Sequence, residues 1–269
     1  MPIECLRPGA HAANARVVLF DFDGTISLLR AGWVQVMVPM MVEMLLDLKT
    51  GETEAELRAI VEDYVGQLTG RQTMYQMLEF ARQIELRGGT PLDPLEYKRR
   101  YYERLNDLIK DRIEGLRRGA ASPENFLVPG SRRLLETLRD RGLKMYLASG
   151  TDQAYMRDEA RLLDVDRYFD GGVFGALDDY KSFSKKILIE QLIAASEFRG
   201  DQFLGFGDGY VEIENVKQVG GVAVGVATDE PQCARVDETK RQRLAGVGAD
   251  WIVPNYNCYE ELMAALFPA

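Results

Sequence analysis

From Pro129-Gly130 to the C terminus, short apolar runs alternate with helical periodicity, and that alternation restricts the possible folds more than any other feature. Lys144–Ala148, Gly172–Ala176, Phe203–Gly207, Val222–Val226 and Asp250–Val253 read as strands. Around and between them Leu134–Leu138, Gln153–Leu163, Ser184–Ser196 and Val211–Val219 read as helices, with a last helix from Tyr259. Strands separated by helices call for a parallel sheet with right-handed crossovers and helices on both faces. Far upstream, Val17–Phe20 is a run of four apolar residues, the pattern of a strand buried on both faces in the middle of such a sheet.

Between that strand and the alternating region lie about a hundred residues without a strand signal. Ala31–Lys49 reads as one helix containing Pro39. Thr53 with Glu56 fits a capping box, followed by an apolar face of Leu57, Ile60, Val61, Tyr64 and Leu68. Thr69-Gly70-Arg71-Gln72 breaks the run, Met74–Glu85 resumes it, and Gly88-Gly89-Thr90-Pro91 is a loop. Pro94–Arg118 is a long helix whose interleaved charges read as a solvated face. The expected fold is α/β: a doubly wound, parallel-sheet, Rossmann-like core of residues 1–27 and 125–269, with an all-helical domain of residues 28–124 inserted after the first strand.

Composition excludes several classes of function. A net charge of −9 argues against a nucleic-acid partner, which needs a basic surface. One histidine, His11, leaves serine–histidine and cysteine–histidine catalysis without material, so acid–base work falls to carboxylates or lysines. Cys5, Cys233 and Cys258 are scattered and odd in number, which reads as reduced thiols in a cytoplasmic protein. No membrane segment is expected: residues 1–16 lack a signal-peptide core, and Gln35, Pro39, Glu43 and Asp47 interrupt the apolar stretch Ala31–Leu48. Oligomeric state has no signature.

The chemistry collects at strand ends. Asp21 and Asp23 close the first strand, and alternate positions share a face, so their carboxylates point roughly the same way. Two like charges at a buried strand end call for a cation or a shared proton. The plain alternative is an Asx turn ending a strand. Ser149, Asp208 and Thr228 stand at later strand ends, and glycine follows Asp23, Ser149 and Asp208 closely, which lets the backbone approach a ligand. Adjacent strands lie about 4.8 Å apart, so such ends converge on one small cavity.

Asp-Phe-Asp-Gly-Thr, Leu-Ala-Ser-Gly-Thr, a lysine and Gly-Phe-Gly-Asp-Gly, in that order, resemble the four-motif signature of the haloacid dehalogenase-like superfamily of phosphatases. The insertion after the first strand is similar to that family's helical C1 cap, in a phosphoglycolate-phosphatase-like layout. The resemblance implies that Asp21 is the nucleophile forming an aspartyl-phosphate and Asp23 the general acid and base. It implies Mg2+ held by the Asp21 carboxylate, the Asp23 backbone carbonyl and Asp208, with Ser149 and the Gly150 N–H on the phosphoryl oxygens. Of Lys181, Lys185 and Lys186, Lys185 best fits the phosphate-binding lysine, because Leu188, Ile189, Leu192 and Ile193 follow it at the spacing of a sheet-facing helix.

Where the family often carries a second aspartate after the Gly-Asp pair, Glu212 stands here, as a holder of metal-bound water or as a solvated residue of a first helical turn. Thr69–Gln72 is the candidate loop over the site, with Arg71 either binding an anionic or polyhydroxylated substrate or simply solvated. The implied activity is magnesium-dependent hydrolysis of a small phosphorylated metabolite, such as a sugar phosphate. A phosphomutase of the same superfamily is the alternative, and a phospho-accepting receiver-type signalling module, normally far shorter, is a more distant one.

Overall fold

A computed structural model describes residues 3–177, 187, 191 and 198–268 of the chain. Seven strands form one sheet: β1 (Glu4–Cys5), β2 (Val17–Phe20), β3 (Lys144–Asp152), β4 (Gly172–Ala176), β5 (Phe203–Gly207), β6 (Val222–Val226) and β7 (Trp251–Val253). Their order is β1-β7-β6-β5-β2-β3-β4, parallel throughout except for the antiparallel edge pair β1–β7. All four residues of β2 are buried, as its unbroken apolar run requires.

Alternation along β2 divides the core in two. Val18 and Phe20 pack in one cluster with α5 (Ser131–Asp140), α6 (Gln153–Leu162) and α9 (Tyr259–Leu266). Val17 and Leu19 pack in another with α7 (Tyr210–Gln218) and α8 (Glu238–Gly246). Helices thus cover both faces, and the sheet is doubly wound.

Between β2 and β3 come α1 (Trp33–Leu46), α2 (Glu54–Gln67), α3 (Thr73–Leu86) and α4 (Pro94–Arg117). The Thr53–Glu56 capping box forms as expected, and Pro39 lies on the exposed side of α1. Met41, Leu57, Val61, Met77, Phe80 and Leu105 build a core separate from that of the sheet. The two connections between insertion and sheet run side by side. Leu28 N–H donates to Phe126 O at 2.8 Å and Val128 N–H to Ile26 O at 2.9 Å. Arg112 of α4 adds bonds of 2.8 Å to the carbonyls of Leu29 and Ala31.

The structure departs from the sequence reading at several points. Strand β3 runs on to Asp152 instead of stopping at Ala148. The two-residue edge strand β1 and the helix α8 were not expected at all. The face of α4 is not wholly solvated: Lys98 is buried and pairs with Asp152 at 2.6 Å. The expected helix Ser184–Ser196, with Lys181, Lys185 and Lys186, lies outside the described residues apart from Ile187 and Gln191. No helix among the described residues is long and apolar enough to cross a membrane.

Candidate active site

Parallel register fixes the site. Phe20 is level with Leu147 of β3 on one side and Phe206 of β5 on the other. Asp21, Ser149 and Asp208 therefore emerge at the same edge of the sheet, one or two residues past that line. Asp21 is held in place through its backbone N–H, which donates to Phe206 O at 2.9 Å, and through its Oδ1, which accepts from Phe22 N–H at 2.7 Å. Gly24 then turns at a φ of 71°, a left-handed conformation that glycine adopts freely. A side chain there would collide with the Asp208 carboxylate and come within 2.8 Å of Glu230 Oε1.

Asp23 faces two hydroxyls. Its Oδ2 accepts from Thr151 Oγ1 at 2.9 Å and from Ser149 Oγ at 3.3 Å, and Ser149 Oγ in turn accepts the Thr151 N–H at 3.0 Å. Burial pushes the Asp23 carboxyl up to about 6; the charge of Arg30 opposes this most, Glu159 and Asp208 add to the rise, and the Thr151 hydroxyl holds against it. Arg30 itself is 5% exposed and clamped to Glu159 through Nε at 3.1 Å and a terminal nitrogen at 2.7 Å. Its guanidinium lies 5.7 Å from the ring centres of both Tyr102 and Tyr155.

Asp208 is fixed through its backbone, which donates to Thr25 Oγ1 at 2.9 Å, while Thr25 O accepts from the buried Tyr256 hydroxyl at 3.0 Å. The carboxylate of Asp208 meets Lys240 of α8 at 2.9 Å, and the same ammonium contacts Glu230. Burial pushes the Glu230 carboxyl up, with Lys240 pulling it down.

Asp21, Asp23, Ser149, Gly150 and Asp208 line one cavity of about 90 Å³. Thr69, Gly70 and Arg71 roof it, so the loop singled out from the sequence does lie over these residues. The approach is close: a Cβ on Gly150 would stand 2.6 Å from Arg71 O, and one on Gly209 2.8 Å from Gly70 Cα. Arg71 donates to the Tyr210 hydroxyl at 2.5 Å and lies 5.5 Å from the Tyr75 ring centre, so it is not merely solvated.

Two other expectations change. Glu212 is fully buried, with its carboxylate against Gly207 and Gly209, so the solvated alternative fails. Thr228 is buried but does not line the cavity; Glu230, two residues on, does. Sequence reading missed Thr25, Arg30, Thr151, Glu230 and Lys240. Thr25 and Thr151 sit inside motifs already quoted, whereas the other three have no local signature.

These residues fit a magnesium ion. The donors are all hard oxygens. Asp23 Oδ1 is buried without a hydrogen-bond partner, and the bare backbone of Gly24 leaves the Asp208 carboxylate close beside it. Among the described residues no three His, Cys, Asp or Glu side chains gather as a metal group. The implied set needs only two, Asp21 and Asp208, with the Asp23 carbonyl as third oxygen.

A family model for haloacid dehalogenase-like hydrolases matches residues 15–220, which include Asp21, Asp23, Ser149 and Asp208. No curated protein matches the sequence. Among solved structures, the chain is similar to a predicted phosphoglycolate phosphatase from Haemophilus somnus 129PT, with a TM-score of 0.59, 13% identity, and coverage of 93% of this chain and 98% of that one. It is similar to a phosphonoacetaldehyde hydrolase-like protein from Oleispira antarctica, with a TM-score of 0.59, 14% identity and coverage of 95% and 93%. It is also similar to a β-phosphoglucomutase from Clostridium difficile, with a TM-score of 0.52, 18% identity and coverage of 87% and 95%. At such identities these likenesses speak for the fold.

Proposed function

The chain belongs to the haloacid dehalogenase-like hydrolases, and from that premise we propose that it is a magnesium-dependent phosphatase acting on a small phosphorylated metabolite through an aspartyl-phosphate. One juxtaposition supports this most: two carboxylates just past β2, a serine of β3 and an aspartate just past β5 line a single cavity beneath a loop of the helical insertion. Residues 28–124 act as the cap, whose closure excludes water while the phosphoryl group moves.

In the first step an Asp21 oxygen bonds to phosphorus as the ester P–O bond breaks, and Asp23 gives its proton to the departing alkoxide. In the second, Asp23 takes a proton from water as that water attacks phosphorus; the Asp21–phosphorus bond breaks and inorganic phosphate leaves. The buried, hydroxyl-held setting of Asp23 suits a group that must carry a proton in one step and accept one in the next. Ser149 and the Gly150 N–H donate to the phosphoryl oxygens, with Lys185 as the proposed third donor. Magnesium, when bound by Asp21, Asp208 and the Asp23 carbonyl, supplies positive charge against the transferring group. Glu212 supports the loop that carries Asp208, and Arg71 faces the leaving group from the cap.

A panel of small phosphate monoesters tests the reading. Inorganic phosphate should appear only with added magnesium, and EDTA should stop its release. No release from any member would overturn the proposal, as would an isomerised sugar phosphate in place of free phosphate.

The roof contact gives a second expectation. In Gly150→Ala the new methyl must push the Arg71 carbonyl away, because the atoms it meets are backbone and cannot rotate aside. Displacement of a positioning loop by about 1 Å costs on the order of 100-fold. Steady-state kinetics should show kcat/KM reduced by that order, with thermal unfolding nearly unchanged.

A further inference from the structure

Helix α8 lies beyond the family match, which ends at residue 220, and it reaches the site from a direction that the motifs do not describe. Asp237 caps it by accepting the Lys240 N–H at 2.9 Å, which fixes Lys240 in the first turn. Leu244 is fully buried in the core, Arg241 pairs with Glu4 of β1, and Arg243 donates to Gly66 O of α2 at 3.0 Å. A helix pinned at so many points holds its side chains at defined positions. Lys240 then places its ammonium between two carboxylates, 2.9 Å from Asp208 Oδ2 and in contact with Glu230 Oε1. Among the described residues it is the cation paired with Asp208. Glu230 in turn lines the catalytic cavity beside Gly24.

We infer that Lys240 and Glu230 are a positioning couple that holds Oδ2 of Asp208 and so sets how tightly, and where, a divalent cation binds. This rests on the proposal that Asp208 is a ligand of that cation. The ammonium occupies Oδ2, the oxygen beside Gly24, and leaves Oδ1 outside that ion pair. It also neutralises Glu230, which would otherwise offer a competing carboxylate beside Asp208. Neither residue touches the reacting phosphoryl group in this assignment; both act through Asp208.

The test is calorimetric titration of the whole protein with MgCl2 alone, in parallel with steady-state kinetics. Removal of the ammonium in Lys240→Met leaves two adjacent carboxylates free to chelate the cation. Magnesium should then bind on the order of ten-fold more tightly, the lower end of what a neighbouring opposite charge does to an ionic equilibrium. At the same time kcat should fall, because the cation is drawn off Asp21. Glu230→Gln should move affinity the other way, and Lys240→Arg, which keeps the charge, should stay near the parent protein. A merely structural lysine would lower thermal stability and leave magnesium affinity alone; unchanged or weaker binding in folded Lys240→Met overturns the couple. Asp208→Asn separates the two readings. If it abolishes magnesium binding while Lys240→Met changes nothing, only the couple fails. If it binds magnesium normally, the ligand assignment fails and the couple with it.

Discussion

Asp21→Asn should be folded and inactive. Asparagine keeps the shape of aspartate, and its side-chain oxygen can still accept the Phe22 N–H that orients Asp21 Oδ1. The backbone bond to Phe206 O is untouched. What disappears is the anionic oxygen that would bond to phosphorus. Loss of a residue central to covalent catalysis costs on the order of 10⁴- to 10⁶-fold in turnover. Magnesium-dependent phosphate release from an aryl phosphate should therefore fall to background, with thermal unfolding close to that of the parent. Trapping with labelled substrate should give a protein-bound phosphoryl group in the parent and none in the variant. Sustained turnover in Asp21→Asn would exclude the aspartyl-phosphate route.

The largest effect on stability is expected at Arg30. This side chain, on the segment that leads from β2 into α1, and Glu159 of α6 are both almost completely buried and joined at 2.7 Å. In Arg30→Met the methionine fills much of the space, but Glu159 is left as a charge without its partner. Breaking a buried pair in this way costs about 3–5 kcal/mol, whereas replacing both partners by apolar groups is often neutral. Urea unfolding should show that loss for Arg30→Met and recovery of most of it in Arg30→Met/Glu159→Leu. Full stability in the single variant would mean that Glu159 finds water or a proton at little cost.

How far the sequence could be read follows from where the information lies. Strands buried on both faces are written as short continuous apolar runs, and Phe203–Gly207 and Val222–Val226 match the structure to the residue, as does the half-buried edge strand Gly172–Ala176. The carboxylates, serine and glycines of the cavity stand at the ends of the runs Val17–Phe20, Lys144–Ala148 and Phe203–Gly207, so they were legible with them. Helix α8 was not, because Leu244 is its one buried residue and no apolar stripe betrays it. Its one local sign is Asp237 three residues ahead of Lys240, a common capping pattern. Arg30 was hidden for another reason: its partner is 129 residues away, and only the packing of α6 beside the insertion brings the two together. Lys98 misled because a charge on a long polar helix normally faces water.

The paired connections between sheet and insertion carry a mechanical consequence. Because the incoming and outgoing segments are hydrogen-bonded to each other and clamped by Arg112, the proposed cap closure would turn on one pivot and carry α1–α4 as a unit. Polar contacts that would resist that swing are Lys98 on Asp152, Arg117 on Asp158, Arg71 on Tyr210 and Arg243 on the Gly66 carbonyl, beside the apolar packing of Ile113 and Leu116 against the sheet's core. Of these, the exposed Arg117–Asp158 pair is weakened by dissolved salt, whereas the largely buried Lys98–Asp152 pair is screened much less. In the proposed mechanism the rate at which product escapes would thereby respond to the ionic strength of the surroundings.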